Sequence, residues 1–266
     1  MSRISPLNYA YAVSRIRALE SDLIGREAFL QAAEAETHDA LRLLVEQGRY
    51  GDRLLHADSG DELETALAEE KRKLLSLIDS LLLDRWLLPL LEADSLAAVV
   101  SARNGHPGPF LKDYLDHVID LHNIKTFLRL RAVGDPKERL ADLLAAGGFL
   151  KKEIFLRSYD SSLDDWLHDL NRANKRGTGI FYGRFFREAI KEVEKHRSFV
   201  MLETRINDFL IRAMKPAKIM VFGPEPLLAY CWARMNEMNL IRLVVLSRMN
   251  HVPVDQVKMR INDVYA

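Results

Sequence analysis

Residues 222–245 read FGPEPLLAYCWARMNEMNLIRLVV, and this stretch decides the fold. Gly223, Pro224 and Pro226 mark a sharp helix start, because proline has a fixed φ and suits a helix's first turn. The helix that follows is oily, yet it carries Glu237, Asn239 and Arg242 within six positions, with Arg248 close behind. A helix buried for packing alone needs no charges, so these side chains must meet partners.

The same pattern occurs earlier in the chain. Sliding DLHNIKTFLRLR, residues 120–131, forward by 117 positions puts Asp120 on Glu237, Ile124 on Ile241 and Lys125 on Arg242. It also puts Leu128 on Val245, Arg131 on Arg248, Pro136 on Pro253 and Glu138 on Asp255. The order acid, apolar, base, apolar, base, proline, acid recurs, as expected of an internal repeat. Leu63-Glu64-Thr65 and Leu202-Glu203-Thr204 form a second echo, and Ile16-Arg17 with Leu19 before Gly25 a weaker one. An acid and a base five residues apart do not share a helix face well. Asp120, Lys125, Glu237 and Arg242 are therefore expected to reach different neighbouring helices and to lock lobes together by buried hydrogen bonds.

The rest of the chain points to helices. Of 266 residues, 48% are hydrophobic and 29% charged, with only 13 glycines and 9 prolines. That is enough for one large or two smaller domains, and the abundance of Leu, Ala, Glu, Arg and Lys favours helix. Apolar spacing predicts helices over 8–22, 27–35, 40–46, 61–86, 110–132, 185–214 and 254–262. Thr37 and Asp61 read as N-caps, Ser161-Ser-Leu-Asp-Asp-Trp as the start of a short helix, and Gly48–Gly60 and Asn174–Gly179 as loops. No segment alternates with the period of a strand, so the chain is expected to be all-α. The repeat divides it into units of about 9–108, 109–225 and a partial 226–266.

Charge and cysteine content narrow the setting. Net charge is zero, but residues 1–150 hold 18 Lys+Arg against 24 Asp+Glu, and the remainder 20 against 14. Such polarity suits docking of different partners at different ends. One cysteine, Cys231, permits no internal disulfide and fits a reducing cytoplasmic compartment. No secretory signal is expected in MSRISPLNYAYAVSRIR, and no run approaches the roughly 20 apolar residues of a membrane span. The oiliest stretch, Leu81–Leu91, is broken by Asp84, Arg85 and Pro89.

Signatures of catalysis are missing from the sequence. There is no phosphate-binding Gly-x-x-x-x-Gly-Lys-(Ser/Thr) loop, and Lys175-Arg-Gly-Thr-Gly179 reads as a solvated basic turn. The eight histidines are scattered; His117 and His122 lie five apart, not at the spacing of a zinc helix. Asp164-Asp165 reads as a helix start, and Cys231, between Tyr230 and Trp232, as a buried inert thiol.

The run FGPEPLLAY…NEMNLIRLVVLSRMNHVPVDQVKMRINDVY resembles the C-terminal signature of the C subunit of archaeal and bacterial V-type ATPases, related to the eukaryotic d subunit. Asp120-Leu-His-Asn-Ile-Lys-Thr-Phe-Leu-Arg looks like that family's mid-chain motif, and Tyr9–Glu20 like its N-terminal helix. Leu240 stands where the family often has Asn. The resemblance implies repeated helical lobes in a pseudo-threefold, funnel-like arrangement. It also implies a non-catalytic place in the rotor's central stalk, without cofactor, metal or small-molecule substrate. The partners would be the axle subunits and the membrane rotor ring, met on the cytoplasmic face of the membrane. Family members are usually longer, which leaves room for one reduced lobe.

A rival reading comes from residues 171–187, NRANKRGTGIFYGRFFR, where cations interleave with aromatics. Arg172, Lys175, Arg176, Arg184 and Arg187 form a candidate partner interface. On the rotor reading it meets an acidic partner or the ring's polar loops, and no nucleic acid is expected. On the alternative reading the chain is a helical nucleic-acid-binding or scaffold protein that uses this segment.

Overall fold

A computed structural model describes residues 5–92, 95–105, 107–173 and 182–266. Every regular element among them is a helix, in agreement with the all-α expectation. The chain forms two compact units, one from Met1–Glu92 with Asn207–Ala266 and the other from Ala93–Ile206.

The first unit contains α1 (Ala10–Leu19), α2 (Arg26–Glu34), α3 (Thr37–Gly48), α4 (Asp52–Leu55), α5 (Gly60–Leu81) and α6 (Leu88–Glu92). The second contains α7 (Leu96–Asn104), α8 (Pro109–Val133), α9 (Lys137–Leu143), α10 (Lys152–Arg157), α11 (Leu163–Ala173), α12 (Tyr182–Phe185) and α13 (Arg187–His196). Helix α14 (Val200–Met214) spans the boundary, and α15 (Glu225–Met249) and α16 (Val254–Arg260) return to the first unit.

Helix α15 is the axis of its unit. Leu227, Leu228, Cys231, Ala233, Met238, Leu240, Ile241, Val244 and Val245 are buried on several sides of it, so it lacks the single apolar stripe of a surface helix. It packs against α1, α2, α3 and α5. Helix α5 does carry one stripe, Leu63, Ala66, Leu67, Leu74, Ile78 and Leu81, at helical spacing. In the second unit α8 has the central place, against α7, α9 and α13. Its Phe127 ring stacks on Trp166 with centroids 4.2 Å apart, and Phe155 and Tyr159 close the same cluster.

Several boundaries differ from the sequence reading, each for a local reason. The cap of α5 is Ser59, whose hydroxyl accepts from the Glu62 amide, while Asp61 lies in the first turn. That helix stops at Leu81, not Trp86, because Tyr9 Oη accepts the Leu83 and Asp84 amides and donates to the Asp84 carboxylate. Thr37 is the first residue of α3 and Glu36 its N-cap. The helix expected over 185–214 is broken after His196, where Arg197 takes a left-handed φ of 56° and caps α13. Loop 174–179 lies outside the described residues.

The two units share one plan. Helices α8 and α15 are each 25 residues long with proline in the first turn. Helices α9 and α16 follow as seven-residue helices at the same spacing of 117 (254 − 137). Helices α10 and α11 then start 126 positions after α2 and α3 (152 − 26 and 163 − 37). At that offset Leu150 matches Ile24, Phe155 matches Phe29, Leu167 matches Leu41 and Leu170 matches Leu44, all of them buried. In the second unit the two halves of the module are consecutive. In the first, one half comes from the end of the chain and the other from its beginning. Even the stop after the long helix is matched: Gly134 (φ 72°) and His251 (φ 52°), 117 apart, both take the left-handed conformation.

Candidate functional site

The repeated acid is the centre of each unit. In α15 the Glu237 carboxylate is almost fully enclosed. One oxygen accepts the Ile24 amide at 2.6 Å, and the other accepts Tyr50 Oη at 3.0 Å and Arg234 Nη1 at 2.8 Å. Arg234 also donates to the Gly48 carbonyl, and its guanidinium lies 4.0 Å from the Tyr50 ring centroid. Glu237 thus ties α15 to the start of α2 and the end of α3. Burial pushes its carboxyl up to about 7, with Arg234 and the hydrogen bonds pulling the other way.

Asp120 repeats this arrangement in α8. Its oxygens accept the Leu150 amide at 3.0 Å, the Phe149 amide at 3.1 Å and Tyr182 Oη at 3.1 Å. Tyr182 Oη is also hydrogen-bonded to His117 Nδ1. Tyr182 therefore does for Asp120 what Tyr50 does for Glu237. His117 and Arg234 also match: each lies one turn before its acid, and each is in contact with the tyrosine.

The units differ in how they neutralise the buried acid. Arg234 supplies a positive charge to Glu237, whereas burial holds His117 down to about 4 and so leaves it neutral. Burial pushes Asp120 up to about 7, the backbone amides and Tyr182 opposing and Asp116 adding to the rise. Asp116 is itself closed by Arg103 and Lys112, each at 2.8 Å. When Asp120 is protonated, it can donate to Tyr182, which donates to His117; when it is ionised, both donations reverse. The shorter Asp side chain also requires a closer approach by the backbone. A Cβ on Gly148 would stand 2.0 Å from Asp120 Oδ1, so this position must be glycine. Glu237 reaches one methylene further, and the position matched to Gly148 is Asp22.

The repeated bases sit at the surface. Arg242 makes a two-pronged contact with Glu64, at 2.5 and 2.9 Å, and also donates to Asn239. The two side chains are 38% and 46% exposed. Lys125 lies 3.9 Å from Glu203, which Arg129 approaches to 3.1 Å. The Leu-Glu-Thr echo in the sequence is thus the partner of the repeated base: Glu64 serves Arg242, and Glu203 serves Lys125. Each of these contacts joins elements within one unit.

Sequence reasoning passed over Tyr50, Tyr182, Arg234 and Gly148. The spacing of 117 between His117 and Arg234 was an available signal. The tyrosines were not, because they lie 132 apart and the shift had changed by then.

The basic segment is only partly described, since Lys175 and Arg176 lie outside the described residues. Arg172 and Arg184 are exposed, and Arg187 lies 3.7 Å from Asp164. Tyr182 and Phe186 are fully buried, which withdraws two of the segment's aromatics from any base-stacking surface.

Fold and site together define a helical-repeat protein whose buried ionisable groups tie helices to one another. Among the described residues no group of His, Cys, Asp and Glu side chains is arranged to hold a metal ion, and no helix is long and apolar enough to cross a membrane. The family model of the ATP synthase (C/AC39) subunit matches residues 90–260, and the chain belongs to that family. It is similar to the C subunit of the V-type sodium ATPase of Enterococcus hirae, with 34% identity over 163 residues. That match covers 59% of this chain and 45% of the relative, so the chain spans about half the relative's length.

Proposed function

We propose that this chain is a non-catalytic central-stalk adaptor of a V-type rotary ATPase or ATP synthase, which links the rotor axle to the membrane ring and transmits torque. The observation that carries the reading is the family match over residues 90–260, which includes both long helices and both buried acids. A torque coupler must be stiff, and carboxylates buried at the centre of each unit supply stiffness by fixing helix to loop. On this reading the three-lobed funnel of the family is present with one lobe reduced. The basic residues Arg172, Lys175, Arg176, Arg184 and Arg187 then face an acidic partner. Ion selectivity would belong to the ring.

The test is co-purification. The chain, tagged in its native host, should bring down axle and ring subunits in fixed stoichiometry. Recovery without them, from cells that contain such a motor, refutes the adaptor role.

A further inference from the structure

The second unit differs from the first in one chemical capacity: its buried polar groups can pass a proton. Asp120, Tyr182 and His117 are all buried and are joined in line through the Tyr182 hydroxyl. Two arrangements of protons fit these bonds. With Asp120 protonated, the carboxyl donates to Tyr182 Oη and Tyr182 donates to His117 Nδ1, so the imidazole proton sits on Nε2. With Asp120 ionised, Tyr182 donates to the carboxylate and His117 Nδ1–H donates to Tyr182, so Nε2 is bare. The two arrangements differ by one proton, and His117 is neutral in both.

We propose that this relay is a pH-sensitive switch: loss of one proton from Asp120 reverses both hydrogen bonds and converts His117 from its Nε2–H to its Nδ1–H tautomer. Geometry is the first argument. The Phe149 and Leu150 amides clamp the Asp120 carboxyl, and the Phe149 ring lies 4.8 Å from the imidazole. A carboxyl held by two amides does not swing away, so a change in its protonation is absorbed by turning the Tyr182 proton. The contrast between the units is the second argument. Arg234, in the place of His117, is a donor only, so Tyr50 cannot hand it a proton and that lock has one polarity. Burial supplies the working range. It pushes Asp120 up to about 7 and holds His117 down to about 4, so the acid titrates near neutrality beside an imidazole that does not. The charge acting on both is Asp116 of α8, closed by Arg103 of α7 and Lys112 of α8. Lys137, Glu138, Arg139 and Asp142 of α9, Lys151 of the loop and Arg184 of α12 are exposed. On α13, Glu188, Lys191, Glu194, Lys195 and His196 are exposed, Glu192 is half-buried and Arg187 approaches Asp164. On α11, Asp164, Asp165, His168 and Arg172 are exposed and Asp169 is bonded to Arg157. Tyr182 is the first residue of α12, whose Arg184 belongs to the basic segment, so the switch anchors the helix that presents that arginine.

The switch operates in the isolated chain, so its test is independent of the adaptor role. Nitrogen NMR of the full chain with isotope-labelled histidine separates the two neutral tautomers from each other and from the imidazolium, and is followed between about pH 5.5 and 8.5. The His117 signals should pass from Nε2–H to Nδ1–H as pH rises, with one midpoint near 7. Asp120→Asn should fix one tautomer across that range. Tyr182→Phe removes the middle group and should leave the tautomer indifferent to pH. Both variants are near-isosteric, and either one that folds decides. A single tautomer throughout in the native chain, or an imidazolium forming as pH falls through about 6.5, overturns the proposal. So does an inversion that survives Asp120→Asn or Tyr182→Phe.

Discussion

Glu237→Ala and Arg242→Ala remove two residues of the same repeated motif, yet the structure assigns them very different costs. Loss of Glu237 strands the Arg234 guanidinium in a site where its side chain is 10% exposed, and leaves the Ile24 amide and Tyr50 hydroxyl without their acceptor. Breaking a buried pair from one side costs about 3–5 kcal/mol. Arg242 and Glu64 are both more than a third exposed, and a pair of that kind is worth under about 1 kcal/mol. For a unit of this size each kcal/mol moves Tm by about 2–4 °C, so Glu237→Ala should lower it by roughly 6–20 °C and Arg242→Ala by less than about 4 °C. Urea denaturation should show the same order at unchanged m. If the chain is the proposed adaptor, Glu237→Ala should also uncouple rotation from transport in the assembled motor while ATP hydrolysis continues. Equal losses from the two substitutions, or a Glu237→Ala protein within about 1 kcal/mol of wild type, would refute the reasoning.

Three further outcomes are expected. Asp120, raised to about 7 by burial, holds a proton that the unfolded chain releases near 4, so its contribution to stability falls as pH rises through that window. His117, lowered to about 4, acts in the opposite sense up to about 6.5. The two offset each other in the native protein. Asp120→Asn should therefore make stability climb with pH between about 4 and 6.5, by up to about 1.4 kcal/mol per pH unit relative to wild type; urea midpoints that keep the wild-type pH slope count against the shared cluster. Gly148→Ala should cost at least about 3 kcal/mol, because its Cβ displaces Asp120 and breaks the Leu150 bond. Gly134→Ala, strained only by its φ of 72°, should cost about 1–2 kcal/mol, and equal urea midpoints for the two would be the contrary result. Cys231, with its thiol pushed up to about 12 by burial, should react with a thiol-specific disulfide reagent only as fast as the protein opens; modification at the rate of a free thiol in native buffer would contradict this.

Much of the fold was legible because helices announce themselves locally. The prolines at the start of α15, the apolar spacing of α5 and the recurrence of α8 in α15 are properties of neighbouring residues, and the structure keeps them. The repeated acids and bases were legible too, as was the Leu-Glu-Thr echo that turned out to contain the bases' partners. Chain order alone was enough for the helical class and the family. Tertiary structure alone decided which of the charges are buried. It placed Asp120 and Glu237 inside and Lys125 and Arg242 at the surface, although all four stand on the same long helices. It also decided that one module closes across the two ends of the chain. The physical reason is that burial and hydrogen-bond partnership depend on segments far apart in the chain, such as Ile24 and Tyr50 for Glu237. Helix periodicity reports only the next turn.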